Sequence, residues 1–402
     1  MKIRSRSTSG LVNQLFLWGY FIFTVNQVFA ESQFNEIPGI QVGLKLVRWA
    51  LIPFFTFIII MRDRYTLNKR VRLTAVLAIA AITNMLLFHG RILVIILVLI
   101  MIASYGCSIE KILKTHISAI IIGYLSVVMA VMAGILKDKA SVKTFNNLDM
   151  FFLPSAGVRH TMGFLVPNEI PIALLFVYLM LILLMGDRFK KRYHVLFLIA
   201  NCVVYYFFAS RSVCLLVIVV AVTHCFAVRR KRRFLQLGVL ASKGGILCFL
   251  IASVVFPAVA NLENKYIEKL NILFTARISI MQKALERYPL TIGGYGDTFV
   301  SIRNINDYLV LDNGYIYLFV TRGIVLGILV LLVWWCLINI AKKQKNVYLL
   351  LAVLMILVEN CIDSSFLLYK AFPMYCVFVN YGVRGCNLEK NNCLGETIKE
   401  YV

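Results

Sequence analysis

Between residues 314 and 340 the chain runs for 27 residues with one charged side chain, Arg322. A helix rises about 1.5 Å per residue, so about 20 mostly apolar residues cross the hydrocarbon of a bilayer. A run of this length hides its apolar surface in lipid or in the middle of a large bundle. The same ruler gives spans at 11–30, 46–61, 73–88, 92–106, 117–136, 171–186, 195–209, 213–228, 246–262, 314–340, 347–362 and 366–383, about twelve helices. Composition agrees. The chain has 60% hydrophobic and 15% charged residues with a mean hydropathy of +0.82, whereas soluble domains carry roughly a quarter charged residues. The expected fold is all-α, a polytopic transmembrane helix bundle forming a single integral membrane domain over 1–402.

The formal net charge of +23 raises nucleic acid as a partner, but the placement of the cations excludes it. The basic residues gather in short links between apolar runs, at 62–72, 107–116, 187–194, 229–245 and 341–346. Arg229-Arg230-Lys231-Arg232-Arg233 is the densest group. Alternate links are poor in Lys and Arg or balanced by acids. That is the signature of cytoplasmic loops and lacks the contiguous basic face that nucleic acid needs. Both termini are therefore expected in the cytoplasm. The basic start (Lys2, Arg4, Arg6) and the apolar run to Ala30 resemble a signal peptide. The run is long and holds Asn13, Gln14, Asn26 and Gln27, so an uncleaved first helix fits better. The ten cysteines show no CxxC spacing and read as small apolar residues.

The opposite face then holds two long outer loops, 137–170 and 263–313. It also holds three tight turns: His89-Gly90-Arg91, Ser210-Arg211-Ser212 and Asp363-Ser364-Ser365. Within the second loop, 271–288 reads as an amphipathic helix with Phe274, Ile278, Met281 and Leu285 on one stripe. Pro289 and the cluster Gly293, Gly294 and Gly296 end it. No internal repeat is visible, unlike transporters built from repeated halves.

The outward cations carry most of the functional signal. Arg91 and Arg211 sit in turns too short to swing freely, and Arg159, Arg277 and Arg303 lie in the long loops. Guanidinium groups donate paired hydrogen bonds and stay charged, which suits them to lipid phosphate. The plainer role for each is an interfacial anchor that snorkels to headgroups. Asn168 and Glu169 are placed to bond sugar hydroxyls. His160, the sole histidine of a long outer loop, is a candidate acid–base group or a structural side chain. Asp312 suits two roles, a base that takes a proton from a sugar hydroxyl and a helix cap shared with Asn313. Glu359 and Asp363 are acids near the outer end of the eleventh span, for which Arg322 is a candidate partner. There is no Asp-x-Asp, HExxH, Walker or GxSxG pattern, so neither metal nor cofactor is expected.

Four pieces of this sequence resemble the O-antigen and capsular polysaccharide polymerase family (Wzy-type) and, more distantly, the O-antigen ligases. They are Arg159-His160-Thr161-Met162-Gly163-Phe164 with Pro167-Asn168-Glu169, and Ser210-Arg211-Ser212 opening a helix. The third is Thr275-Ala276-Arg277 with Ala284-Leu285, Pro289-Leu290 and Gly293-Gly294-Tyr295-Gly296. The last is Leu311-Asp312-Asn313-Gly314-Tyr315-Ile316-Tyr317 followed by Gly323-Ile324. Val166 stands where the family has a histidine. The ordered set covers about 159–327. The resemblance implies an enzyme of the bacterial cytoplasmic membrane. Such an enzyme moves a glycan from an undecaprenyl-pyrophosphate carrier to another lipid-linked repeat unit, without metal. It implies pyrophosphate binding by Arg159, Arg211 and Arg277, acceptor activation by Asp312, and a place for Asn313 and Tyr315 in the substrate site. Ligases rely on a histidine near the Asp312 position, and its absence favours a polymerase. A chain-length regulator protein is a further expected partner. The alternatives left open are a lipid-linked oligosaccharide flippase or transporter and a ligase-like transferase.

Overall fold

The computed structural model describes residues 4–62, 69–88, 92–139, 141–142, 158–274, 276–299, 302–304 and 307–381. The chain is helical, with two short antiparallel ribbons. The amino-terminal part holds α1 (Arg4–Ala30), α2 (Pro38–Ile60), α3 (Lys69–Phe88), α4 (Ile92–Ala103) and α5 (Ile109–Met132). A ribbon of β1 (Ser141–Val142) and β2 (Val158–Arg159) follows. Next come α6 (Glu169–Met185), α7 (Lys191–Phe208), α8 (Arg211–Arg229), α9 (Lys231–Leu250) and α10 (Phe256–Val259). Two short helices, α11 (Lys265–Leu273) and α12 (Arg277–Arg287), precede the ribbon of β3 (Ile302–Asn304) and β4 (Asp307–Leu309). The chain closes on α13 (Gly314–Lys343), α14 (Val347–Glu359) and α15 (Phe372–Asn380).

Among the described residues, six helical stretches are long and apolar enough to cross a membrane, and three shorter apolar helices accompany them. Leu46, Ile60, Met129, Leu196, Leu215, Val222 and Leu240 stand exposed on the bundle's outside. A surface this apolar is costly in water and natural against lipid. These features together define a helical membrane protein. At its centre α14 and α15 are almost wholly buried against α13, with Trp334, Tyr375 and Phe366 in ring contact.

Several elements differ from the sequence expectation. The basic link 229–245 is mostly helix, because α9 starts at Lys231. Lysine and arginine are good helix formers, so the helix runs past the apolar core into its charged flank. At the other end, α9 passes through a π-turn at Ile251–Val255 before Pro257, where a missing N–H breaks the helical ladder. Of the span expected at 366–383, the described residues up to 381 hold instead a 3-10 turn and the nine-residue α15. Its length is about 14 Å, less than half a bilayer core. The amphipathic helix at 271–288 is two helices. Ala276 adopts φ 62° between them, and Phe274 turns outward while Ile278, Met281 and Ala284 are buried.

The glycine cluster has a definite task. α13 breaks at Gly323 (φ 80°), and the loop at Gly293 and Gly294 packs into that break. Tyr295 N donates to Val320 O at 2.9 Å, and Ile324 N donates to Thr291 O at 3.0 Å. The backbone groups freed by the kink thus find partners in the loop, as buried peptide groups must. Asn84 on α3 ties both strands of the contact, its Nδ2 donating to the carbonyls of Gly293 and Arg322. A side chain at Gly294 would meet Arg322 N and C at 2.7 Å, so only glycine lets the two backbones approach.

Candidate functional site

A cavity of ≈ 320 Å³ opens where the long loops meet the bundle, lined by Arg159, Asn168, Arg211, Arg277, Asp312 and Asn313 among others. These residues come from distant parts of the sequence. Most stand at or beside a helix start: Asn168 precedes α6, Ser210 and Arg211 open α8, Arg277 opens α12 and Asn313 caps α13, while Arg159 comes from β2. Helix N-termini carry partial positive charge and unbonded amides. Among the described residues that line the space, three guanidinium groups face one carboxylate, that of Asp312, which makes the lining net positive and suited to an anion.

Local structure fixes the arginines. Arg159 lies in β2; its Nε donates to Phe208 O at 3.0 Å and its Nη2 to Asn168 Oδ1 at 2.6 Å. These two bonds set the plane of the guanidinium before any ligand arrives. Ala209 takes a left-handed conformation (φ 45°), which reverses the chain between α7 and α8 and projects Arg211 from the first turn of α8. Arg277 Nη1 donates to Cys361 O at 3.3 Å, tying α12 to the end of α14. All three arginines are half-buried.

The two candidate roles at residues 312 and 313 separate. Asn313 is the cap: its Oδ1 accepts from the amides of Tyr315 (3.0 Å) and Ile316 (3.3 Å), and its Nδ2 donates to Ser253 Oγ at 2.9 Å. It lines the cavity, but these bonds occupy its amide, so its part is structural. Asp312 is relieved of capping and stands exposed in the cavity wall.

Three expected site residues lie elsewhere. Tyr315 is fully buried in the core; its hydroxyl donates to Leu357 O at 3.2 Å and its ring packs on Phe366. Glu169 is buried too. Its Oε2 lies 2.5 Å from Lys370 Nζ and accepts from Tyr124 OH at 3.1 Å, so it is an ion-pair partner and not a sugar ligand. His160 is outside the cavity lining and bonds Asp138 through Nδ1. Asp138 also accepts from the amides of Thr161 (3.0 Å) and Met162 (2.9 Å). Partial burial works to raise the Asp138 carboxyl, but the bonds from His160 and the two amides outweigh it and hold the carboxyl below its ordinary range. His160 is thus part of a clasp that closes the first outer loop. Arg91 lies outside the described residues, and so does the side chain of Arg303, whose backbone is in β3.

Sequence reasoning overlooked Asp138 and Lys370. The second carried a readable signal, since a lysine inside an apolar run calls for a buried acid. Glu359 meets Ser365 Oγ at 2.8 Å, while Arg322 lines a separate small cavity with Glu31 and Ser364. No protein-family model, no curated protein and no solved structure matches the chain.

Proposed function

We propose that this chain is a membrane glycosyltransferase of the bacterial cytoplasmic membrane. It polymerises undecaprenyl-pyrophosphate-linked oligosaccharide repeat units into surface polysaccharide on the outer face, with both chain termini in the cytoplasm. One observation carries the reading: Arg159, Arg211 and Arg277 share a single cavity with Asp312. Cations held at fixed positions suit a diphosphate, and a lone carboxylate beside them suits a hydroxyl that must lose its proton. In the reaction, an acceptor hydroxyl oxygen attacks the anomeric carbon of the donor glycan. The bond from that carbon to the diphosphate breaks and the electron pair leaves with the lipid diphosphate. The hydroxyl proton passes to Asp312 and on to water. The arginines and helix termini stabilise the charge that grows on the leaving group.

The test is elongation of a lipid-linked repeat by purified protein in liposomes, followed on gels. Arg211→Ala and Arg277→Ala should each slow elongation by about 10²–10³-fold, the cost of one oxyanion donor. Long chains made at the normal rate by well-folded variants would overturn the reading.

A further inference from the structure

A second cavity of ≈ 480 Å³ lies beside the first, between α1, α2 and the start of α4. Lys45, Arg48 and Trp49 of α2 line it, together with Gln27, Glu31 and Asn35. Its position follows from the backbone. Leu165 lines this cavity, whereas Arg159 and Asn168 of the same segment line the first. Leu165 N donates to Glu31 O at 3.1 Å and Gln33 N to Gly163 O at 2.8 Å, so the two cavities flank one strip of chain. A narrow cavity of ≈ 60 Å³ lies between them. It shares Glu31 and Leu93 with the second and reaches Gly314, next to Asn313 of the first.

The chemistry of this second cavity is that of a lipid phosphate site. Lys45 and Arg48 stand about 10 and 15 Å along α2 from Pro38, at 1.5 Å per residue, which puts Arg48 near the helix middle. The apolar run of the helix begins only at residue 46, so both cations stand at its outer rim, the level of lipid headgroup phosphates. Glu31 offsets one charge and leaves the cavity net positive. Gln27 lines the wall, is 2% exposed, and its Nε2 finds no acceptor among the described residues. A buried donor left without a partner costs stability unless an oxygen arrives from outside the chain. Trp49, half of it exposed, provides an amphipathic ring beside the cations, of the kind that sits at lipid interfaces.

We propose that Lys45, Arg48 and Gln27 form a second polyprenyl-diphosphate site, which holds the acceptor lipid while the arginine cavity holds the donor. This rests on the polymerase reading above. Polymerisation joins two lipid-linked chains, so both carriers must be moored in the same leaflet.

Native mass spectrometry of the full-length protein in detergent, with undecaprenyl diphosphate added alone, tests the assignment. Wild type should bind two molecules, Lys45→Ala/Arg48→Ala one, and Arg211→Ala one. The charge-keeping Lys45→Arg/Arg48→Lys protein should bind two, which controls for folding. Two lipids on the Lys45→Ala/Arg48→Ala protein would overturn the proposal, as would loss of the second lipid from the charge-keeping variant. Displacement of the second lipid by an equal concentration of phosphatidylglycerol would also overturn it, since the occupant would then be ordinary phospholipid. A wild type that binds one lipid, lost in Arg211→Ala, would sink the second site and spare the polymerase reading. A wild type that binds none would sink both.

Discussion

The Glu169–Lys370 pair decides whether the acid at the head of α6 is structural or chemical. The charged atoms lie 2.5 Å apart, with the lysine side chain 1% and the glutamate 8% exposed. At an effective dielectric near 20, Coulomb's law gives about 7 kcal/mol of attraction. Most of that offsets the cost of taking both ions out of water, so the pair as a whole contributes little net stability. Breaking it is different. Lys370→Met leaves a buried carboxylate with one hydrogen bond, from Tyr124, and should cost about 3–5 kcal/mol. With an unfolding entropy of roughly 2 cal/mol/K per residue, a chain of 402 residues should then melt roughly 4–6 °C lower. Glu169→Gln should do comparable damage by stranding the lysine. Glu169→Gln/Lys370→Met removes both charges and should melt within about 2 °C of wild type, since a buried pair can be replaced by matched neutral groups at little cost. The assay is a thermal melt of the detergent-purified variants, with elongation measured on the same samples. The double variant should elongate chains, because Asn168 and Arg159 remain in place. A double variant that melts normally and elongates nothing would refute the reasoning and return Glu169 to the chemistry. Additive melting losses would refute the pairing itself.

Three further predictions follow from the same geometry. Asn313→Ala should lower stability by about 1–2 kcal/mol through loss of the cap, whereas Asp312→Asn should melt as wild type and lose elongation; equal melting losses in both would show that Asp312 also caps. Gly323→Ala puts a methyl group at a positive φ, against Gly294 N at 2.5 Å. It should expel the loop at 291–295 from the kink, seen as faster proteolysis at that loop, and an unchanged digest would contradict the insertion. The Asp138 carboxyl is held below its unfolded value near 3.9, so its contribution to stability is present above that pH and is lost as pH falls through the lower folded value. Protection of the Thr161 and Met162 amides, taken as exchange relative to the intrinsic rate at each pH, should therefore fall below about pH 4 and be lost at neutral pH in Asp138→Ala; protection that does not depend on pH would argue against the clasp.

How much of this was legible depends on the kind of signal. Apolar length is local, so the positions of α2, α5, α8 and α13 could be read directly. Their ends could not, because lysine- and arginine-rich flanks extend α9 without changing the apolar count. The break in α13 was half-legible. Gly323 is visible in the sequence, but its partner at Gly294 is a contact between residues far apart in the chain, and periodicity does not report such contacts. Arg211 stood out because a guanidinium in a tight outer turn is out of place there, whereas Arg159 and Arg277 lie in the long outer loops and stood out by the motifs around them. Tyr315 and Glu169 were misassigned for a common reason. A polar side chain beside a loop looks the same in sequence whether its partner is a ligand or Leu357 O and Lys370 Nζ. Only packing separates those two cases.

The charge balance of the cavity bears on what it can bind. Arg159, Arg211 and Arg277 carry like charges around one cavity and repel one another. Among the described residues Asp312 is the one carboxylate lining the space, so the lining is net positive and complements an anion. The fold tolerates this because each cation is anchored from behind: Arg159 by Phe208 O and Asn168, Arg277 by Cys361 O, and Arg211 by its place in the first turn of α8. Those anchors belong to α7, α14 and α8, so the site exists only once the whole bundle has assembled. An anion that enters finds its donors already oriented and relieves the repulsion among them. A diphosphate that gains charge as its glycosyl bond breaks would relieve it further. Interactions that strengthen as a bond breaks are the ones that lower a barrier, and the proposed transfer draws on them.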